Sequence, residues 1–225
     1  MTSSQIKPQA FLFDLDGTLL DTAPDLAAAV NYAREALLSL PPLPVELLRT
    51  AVTKGTYALT AVGVNLNDDN PMFATFRETM LGYYLEHVAD LTTSFAGVDE
   101  LLDYLDEKQL DWGVVTNKPS AFAQALLNAS DLGERTKCLV CGDATQQPKP
   151  HPAHLLLAAE QTGYHPNQCA YIGDAGTDMQ ASRGAGMYAI AAAWGYIDPE
   201  EDITSWPSDI VLENPKELMA WIESL

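Results

Sequence analysis

Two carboxylates two residues apart, Asp14 and Asp16, close the apolar run Phe11-Leu12-Phe13 and are followed at once by Gly17 and Thr18. On a strand, residues i and i+2 share a face, so a strand that runs out into a turn at Gly17 leaves both acids at its carboxyl edge. There one carboxylate can attack phosphorus while the other handles the proton. A D-x-D pair also occurs in calcium loops and exposed turns, so the rest of the chain has to decide between these readings.

Three further polar clusters follow in order, each at an expected strand or helix end: Val114-Val115-Thr116-Asn117-Lys118-Pro119, Pro148-Lys149-Pro150, and Tyr171-Ile172-Gly173-Asp174-Ala175-Gly176-Thr177-Asp178. Thr116 and Asn117, at the end of a strand, are placed to donate hydrogen bonds to phosphate oxygens. Lys149 lies between two prolines that hold its backbone extended just before a helix, so its ammonium can be aimed at a nucleophile and a phosphate and can neutralise developing charge. Asp14 and Asp174 would converge at adjacent strand ends, and hard oxygen ligands beside a phosphate favour a magnesium ion. Asp178 also reads as a first-turn helix acid stabilised by the helix dipole.

These four clusters resemble the four motifs of the haloacid dehalogenase superfamily, in the same order and across nearly the whole chain. The segments Asp21-Thr22-Ala23-Pro24-Asp25, Thr116-Asn117-Lys118-Pro119 and Trp194-Gly195-Tyr196 resemble most the phosphoglycolate phosphatase group, and the chain is similar also to the N-acetylmuramic acid 6-phosphate phosphatases. The resemblance implies a magnesium-dependent phosphomonoesterase that works through an aspartyl phosphate on Asp14, with Asp16 as acid and base and Thr116 and Lys149 completing the catalytic set. It implies Thr116, Asn117 and Lys149 as phosphate-binding residues. It implies Asp14, Asp174 and the backbone carbonyl of Asp16 as magnesium ligands, with Asp178 supporting the ion through water. Lys118 follows the group pattern and reads equally well as a solvated loop lysine.

Composition narrows the partners. With 225 residues and 47% hydrophobic content, the chain can bury a substantial core as one or two domains. A formal charge of −19 leaves no basic footprint for nucleic acid. The expected substrate is a small phosphorylated metabolite, and so anionic a molecule must be rescued locally by a metal ion and a few well-placed cations. No basic leader followed by a long apolar stretch stands at the N-terminus, and no run reaches membrane-spanning length, which reads as a cytoplasmic chain with no membrane partner. Cys138 and Cys141 have C-x-x-C spacing inside an apolar run and read as buried thiols, and the four histidines show no metal-binding spacing.

Strand-like runs at Ala10–Phe13, Trp112–Thr116, Cys138–Cys141, Ala170–Gly173 and Tyr188–Ala193, with a last one near Asp209–Leu212, alternate with helices at Val98–Gln109, Ala121–Ser130, Pro152–Gly163, Asp178–Gly184 and Pro215–Ser224. That alternation predicts a doubly wound α/β fold, a parallel sheet covered on both faces, with its reactive loops at the carboxyl ends of the strands. Between Leu20 and Thr93 the strand signal disappears and Ala23–Leu38, Pro44–Thr53, Thr56–Val62 and Pro71–Ala89 read as helices, the first with an N-terminal signature from Thr22, Pro24 and Asp25. The expected division is a core domain over residues 1–19 and 94–225 and a helical cap over 20–93, and the resemblance implies a cap hinged at Leu19–Asp21 and Ser94–Gly97 that opens and closes over the site. The cap should choose the substrate, with Arg49, Thr53, Lys54 and Gly55 as candidates.

Rival readings make distinct demands. A dehalogenase has no need for a proton-handling acid at position 16, and a phosphonoacetaldehyde hydrolase needs a Schiff-base lysine for which Lys54 is the obvious suspect. A sugar phosphomutase of the same superfamily would keep all the core motifs and differ in the cap. A non-catalytic scaffold has no need for Asp14, Asp16, Thr116, Lys149 and Asp174 together.

Overall fold

Strands buried on both faces read as unbroken apolar runs, and Ala10–Phe13 (β1) is buried at all four positions. The computed structural model describes residues 7–65 and 70–225. After β1 come two short strands, Leu20–Asp21 (β2) and Thr93–Ser94 (β3), then Asp111–Val115 (β4), Leu139–Val140 (β5), Cys169–Gly173 (β6), Tyr188–Ala192 (β7) and Ile210–Leu212 (β8). The main sheet has the order β5-β4-β1-β6-β7-β8, and every pairing in it is parallel. Successive side chains of β1 go to opposite faces: Phe11 and Phe13 join one buried cluster, Ala10 and Leu12 another.

Helices Ala23–Leu38 (α1), Val45–Val52 (α2), Gly55–Val64 (α3) and Pro71–Glu86 (α4) lie between β2 and β3. The remainder follow β3: Val98–Glu107 (α5), Ser120–Ala129 (α6), Leu132–Arg135 (α7), Ala153–Thr162 (α8), Gly176–Ala185 (α9) and Pro215–Glu223 (α10). The fold is thus the expected α/β architecture with inserted cap helices. Residues 1–6 of the expected core and 66–69 of the expected cap lie outside the described residues.

The two chain passages between sheet and inserted helices differ from a pair of plain hinges. They zip together as an antiparallel ribbon, with Leu20 opposite Ser94 and Asp21 opposite Thr93. Two residues per strand are too few for a periodic signal, which hides the ribbon from sequence reading. Thr22 also departs from its expected capping role, since its hydroxyl donates instead to Asp16 Oδ1 at 2.5 Å. Asp25 turns back to the ribbon, where its carboxylate accepts from the Leu91 and Thr92 amides at 2.9 and 2.8 Å.

Sheet order fixes where chemistry can sit. The chain leaves β1 toward β4 and β5 on one side and returns to β6, β7 and β8 on the other, so a crevice opens at the carboxyl ends of β1, β4 and β6. Asp14, Thr116 and Asp174 are the residues that immediately follow those three strands.

Candidate active site

The end of β1 is locked in place before any side chain acts. Asp14 N donates to Ile172 O at 2.9 Å, Gly17 N donates to Leu20 O at 3.0 Å, and Gly17 holds φ at 85°, a conformation that favours glycine. A Cβ on Gly17 would also stand 2.2 Å from Asp174 Oδ2, so the turn is packed directly against the second aspartate.

Lys149 is the hub. Its side chain is 2% exposed, and its ammonium lies 2.9 Å from Asp14 Oδ1, 2.8 Å from Asp178 Oδ1, 2.8 Å from the Tyr171 hydroxyl and 3.2 Å from Val115 O. Burial alone would lower its pKa, but Asp14 and Asp178 outweigh it and hold the ammonium well above its ordinary range. Burial pushes the Asp14 carboxyl up to about 6 against the pull of Lys149, with Asp178 and Asp16 adding to the rise.

Asp174 is buried between glycines. Its oxygens accept from the Thr18 hydroxyl at 3.0 Å and the Tyr196 amide at 2.8 Å, and a Cβ on Gly195 would stand 2.2 Å from Asp174 Cβ. Burial, then the charges of Asp14 and Asp178, push its carboxyl well above its ordinary value. Asp178, in the first turn of α9, accepts from Ala175 N at 3.1 Å as the helix-start reading predicts, while its other oxygen faces Lys149. Carboxylate oxygens of Asp14, Asp174 and Asp178 all lie within 4.8 Å of one another. With Asp16 there are four carboxylates in this crevice against the two ammonium groups of Lys149 and Lys118. A compact, hard, oxygen-only set with uncompensated negative charge fits a divalent cation such as magnesium.

Two phosphate-binding candidates divide. Thr116 is buried at the end of β4, and its hydroxyl accepts from the Lys118 amide at 3.1 Å. The Asn117 side chain is spent on the backbone of Lys149, donating to Lys149 O at 3.1 Å and accepting from Lys149 N at 3.0 Å. It positions the lysine. Lys118 proves to be the site lysine of its two readings: its side chain is 6% exposed and its ammonium stands 2.8 Å from Asp16 Oδ1, over the ring of Tyr84 at 4.8 Å.

A cavity of about 350 Å³ covers this floor. Asp14, Asp16, Thr116 and Lys149 line its base, and Val52, Leu59, Leu81 and Tyr84 line its roof. Thr53, Lys54 and Gly55, the turn between α2 and α3, reach the cavity as expected, with Gly55 at φ 82°. The Lys54 ammonium meets Asp198 at 3.0 Å. Arg49 stands elsewhere, 2.7 Å from Asp21 and over the Tyr196 ring at 5.3 Å, where it braces the β2 end of the ribbon. A long side chain on α2 can reach either place, and sequence spacing does not distinguish them.

Tyr171 and Tyr196 touch the candidate site residues in a way that sequence reading does not show. Tyr171 reads as one more apolar strand residue, yet its hydroxyl touches Lys149, Val115 O and Asp178. Tyr196 joins Asp174, through its amide, to Asp21, through its hydroxyl at 2.6 Å; the Trp194-Gly195-Tyr196 segment was the available signal. The cysteines are free and buried as expected, and burial pushes the Cys138 thiol up to about 12. No helix among the described residues is long and apolar enough to cross a membrane.

Comparison with known proteins agrees with this geometry. Residues 11–192 match the family model of the haloacid dehalogenase-like hydrolases. The chain is 39% identical over 215 residues to the N-acetylmuramic acid 6-phosphate phosphatase of Pseudomonas aeruginosa, covering 96% of this chain and 95% of that protein. It is 40% identical over 218 residues to a phosphoglycolate phosphatase of Xanthomonas campestris pv. campestris, covering 94% and 95%. A crystal structure of a predicted phosphoglycolate phosphatase from Haemophilus somnus 129PT superposes with a TM-score of 0.84 at 26% identity, over 96% of this chain and 98% of that one. With its carboxylates at the strand ends that this fold reserves for chemistry, the chain belongs to the haloacid dehalogenase-like hydrolase family, as a phosphatase of that family.

Proposed function

We propose that this protein is a magnesium-dependent phosphomonoesterase that hydrolyses a small phosphorylated acid of the 2-phosphoglycolate kind through an aspartyl phosphate on Asp14. The observation that carries the reading is the position of Asp14 at the end of the central strand, bound to Lys149 and two residues from a second acid that faces the same cavity. Asp14 attacks phosphorus and the ester P–O bond breaks. Asp16 delivers a proton to the departing oxygen, then takes one from the water that releases phosphate and regenerates Asp14. Lys149 and Thr116 bind the phosphoryl oxygens, and Asn117 holds the Lys149 backbone in register. Asp14, Asp174 and the Asp16 carbonyl would hold magnesium, with Asp178 supporting it through water. The ion would lower the repulsion between an ionised nucleophile and an anionic phosphate.

In this reading residues 1–19 and 94–225 form the catalytic core, residues 20–93 form a mobile cap that sets specificity, and the protein works in the cytoplasm. A second substrate, N-acetylmuramic acid 6-phosphate, is supported by the identity to the Pseudomonas protein and by a cavity roomier than a glycolate requires. A phosphate-release screen over phosphorylated metabolites with magnesium present tests both. Asp14→Asn should lose more than about a hundredfold in turnover with the fold intact, as loss of an activated nucleophile demands. Turnover by Asp14→Asn near the wild-type rate would overturn the mechanism.

A further inference from the structure

Every cation that lines the cavity floor or its α2–α3 edge already has a carboxylate. Lys149 is held by Asp14 and Asp178, Lys118 by Asp16, and Lys54 by Asp198. In a chain with 31 acidic and 12 basic residues, such pairing is the ordinary fate of a cation. Arg77, on α4, is different. Among the described residues its guanidinium makes no ion pair, and its hydrogen-bond partner is a neutral one, the Thr56 hydroxyl, 3.0 Å from Nη2.

Arg77 also occupies a particular place. Together with Tyr57, Leu81 and Phe122 it lines both the catalytic cavity and a neighbouring cleft of about 650 Å³, so it stands at the passage between the two. The phosphoryl group has to sit on the floor by Asp14 and Lys149, which leaves the alcohol part of the ester directed toward the roof. The roof is apolar at Val52, Leu59, Leu81 and Phe122, and its other polar side chains, Thr56, Tyr57 and Tyr84, are neutral. A guanidinium without a carboxylate, held at one nitrogen by a threonine, keeps its remaining N–H donors for a planar acceptor, and a carboxylate matches that fork better than a hydroxyl or an amide does.

From this we infer that Arg77 is the specificity-determining residue for a carboxylate on the leaving alcohol, so that the enzyme selects phosphate esters of hydroxy acids over the matching neutral esters. The inference rests on the phosphomonoesterase reading and adds to it the group recognised and the residue that recognises it. Because Arg77 is exposed, its contact competes with water, and an effect of about tenfold is in keeping with one charge-assisted hydrogen bond.

Two matched pairs of substrates test it: 2-phosphoglycolate against 2-hydroxyethyl phosphate, and 6-phosphogluconate against glucitol 6-phosphate. Wild type should prefer the acid in at least one pair, and the pair showing the preference reports how far the carboxylate lies from the phosphate. In that pair Arg77→Gln should cut the acid-to-neutral ratio of kcat/KM about tenfold, mainly through KM, while para-nitrophenyl phosphate turnover stays within about twofold of wild type. Arg77→Lys should recover part of the ratio, since it restores charge without the fork. An unchanged ratio in Arg77→Gln, or a wild type without preference in either pair, overturns the assignment and leaves the phosphatase reading standing. Failure of wild type to release phosphate from any of these esters, para-nitrophenyl phosphate included, overturns both.

Discussion

Lys118 Nζ stands 2.8 Å from Asp16 Oδ1, the oxygen that also accepts from the Thr22 hydroxyl. The pair spans 102 residues of chain and is roofed by the Tyr84 ring of α4, so an inserted helix covers the bond between two core residues. Breaking a buried pair by removing one partner leaves an uncompensated charge, at a cost of about 2–4 kcal/mol here because Asp16 keeps some contact with water. Asp16→Asn should therefore lower stability as well as activity. Adding Lys118→Met removes the stranded ammonium, and urea melts should show the double variant to be more stable than Asp16→Asn alone. Strictly additive losses would mean that the two groups are not energetically coupled.

The metal-free protein should respond to pH in a definite direction. Asp14 is raised from 3.8 to about 6 and Asp174 is raised too, so between those values the folded chain binds more protons than the unfolded one. Stability of the chelated protein then falls as pH rises from about 4 through 6. Magnesium held by these carboxylates, as proposed, would relieve their repulsion, so the rise in Tm on adding it should be larger at about pH 7.5 than at about pH 5. An increment that did not depend on pH would show that the ion binds away from these acids. Chelation should also silence turnover, with calcium restoring it poorly because its larger shell misplaces the nucleophile.

Glycine positions should separate site from scaffold. A Cβ at Gly195 would lie 2.2 Å from Asp174 Cβ and 2.3 Å from Gly17 O, whereas one at Gly82 on α4 meets nothing within 4 Å. Gly195→Ala should cost about 1–3 kcal/mol by overpacking and weaken magnesium binding at least tenfold. Gly82→Ala should gain about 0.5–1 kcal/mol through helix propensity, with activity unchanged. Calorimetry with and without magnesium checks both, and a Gly195→Ala protein with wild-type magnesium affinity would remove Gly195 from the support of Asp174.

Arg49 and Lys54, alike in sequence reading, should behave differently. Arg49 braces Asp21 on the ribbon, so Arg49→Ala should slow every substrate by a similar factor, para-nitrophenyl phosphate included. Lys54 lines the cavity, and Lys54→Ala should penalise a substrate with polar groups more than the generic ester. Its pair with Asp198 is screened by solvent, so little change in Tm is expected. Equal losses on both esters for Lys54→Ala would place it with Arg49 as a brace.

What could be read from sequence follows the range of the interactions involved. β1 was legible because burial on both faces writes itself as four consecutive apolar residues, and α1 because its bounds carry Pro24 at one end and lose periodicity at the other. Asp14 and Asp174 stand out in sequence because each follows a strand end within a short motif, Lys149 because it precedes a helix between two prolines, and Asp16 because it lies two residues after Asp14. Lys118 was undecided because its environment is supplied by Asp16 and Tyr84, distant in sequence. Asn117 showed the right residue type with a different occupation, and Arg77 gave no signal at all, since a lone arginine on an amphipathic helix reads as solvated. For Lys118 and Asn117 the deciding fact is a contact between the inserted helices and the core or between two strand-end loops, and for Arg77 it is a contact between two inserted helices, α3 and α4.

Tyr196 offers its hydroxyl to Asp21 on the ribbon and its amide to Asp174, while Trp194 in the same loop donates to Thr18 O at 2.9 Å. Under the proposed cap motion, a swing of the inserted helices about Asp21 would be transmitted through Tyr196 to the oxygen cradle. Cation exchange and admission of the next substrate would then share one gate, and the lifetime of the bound ion, followed with a paramagnetic substitute such as manganese, becomes a clock for the lid.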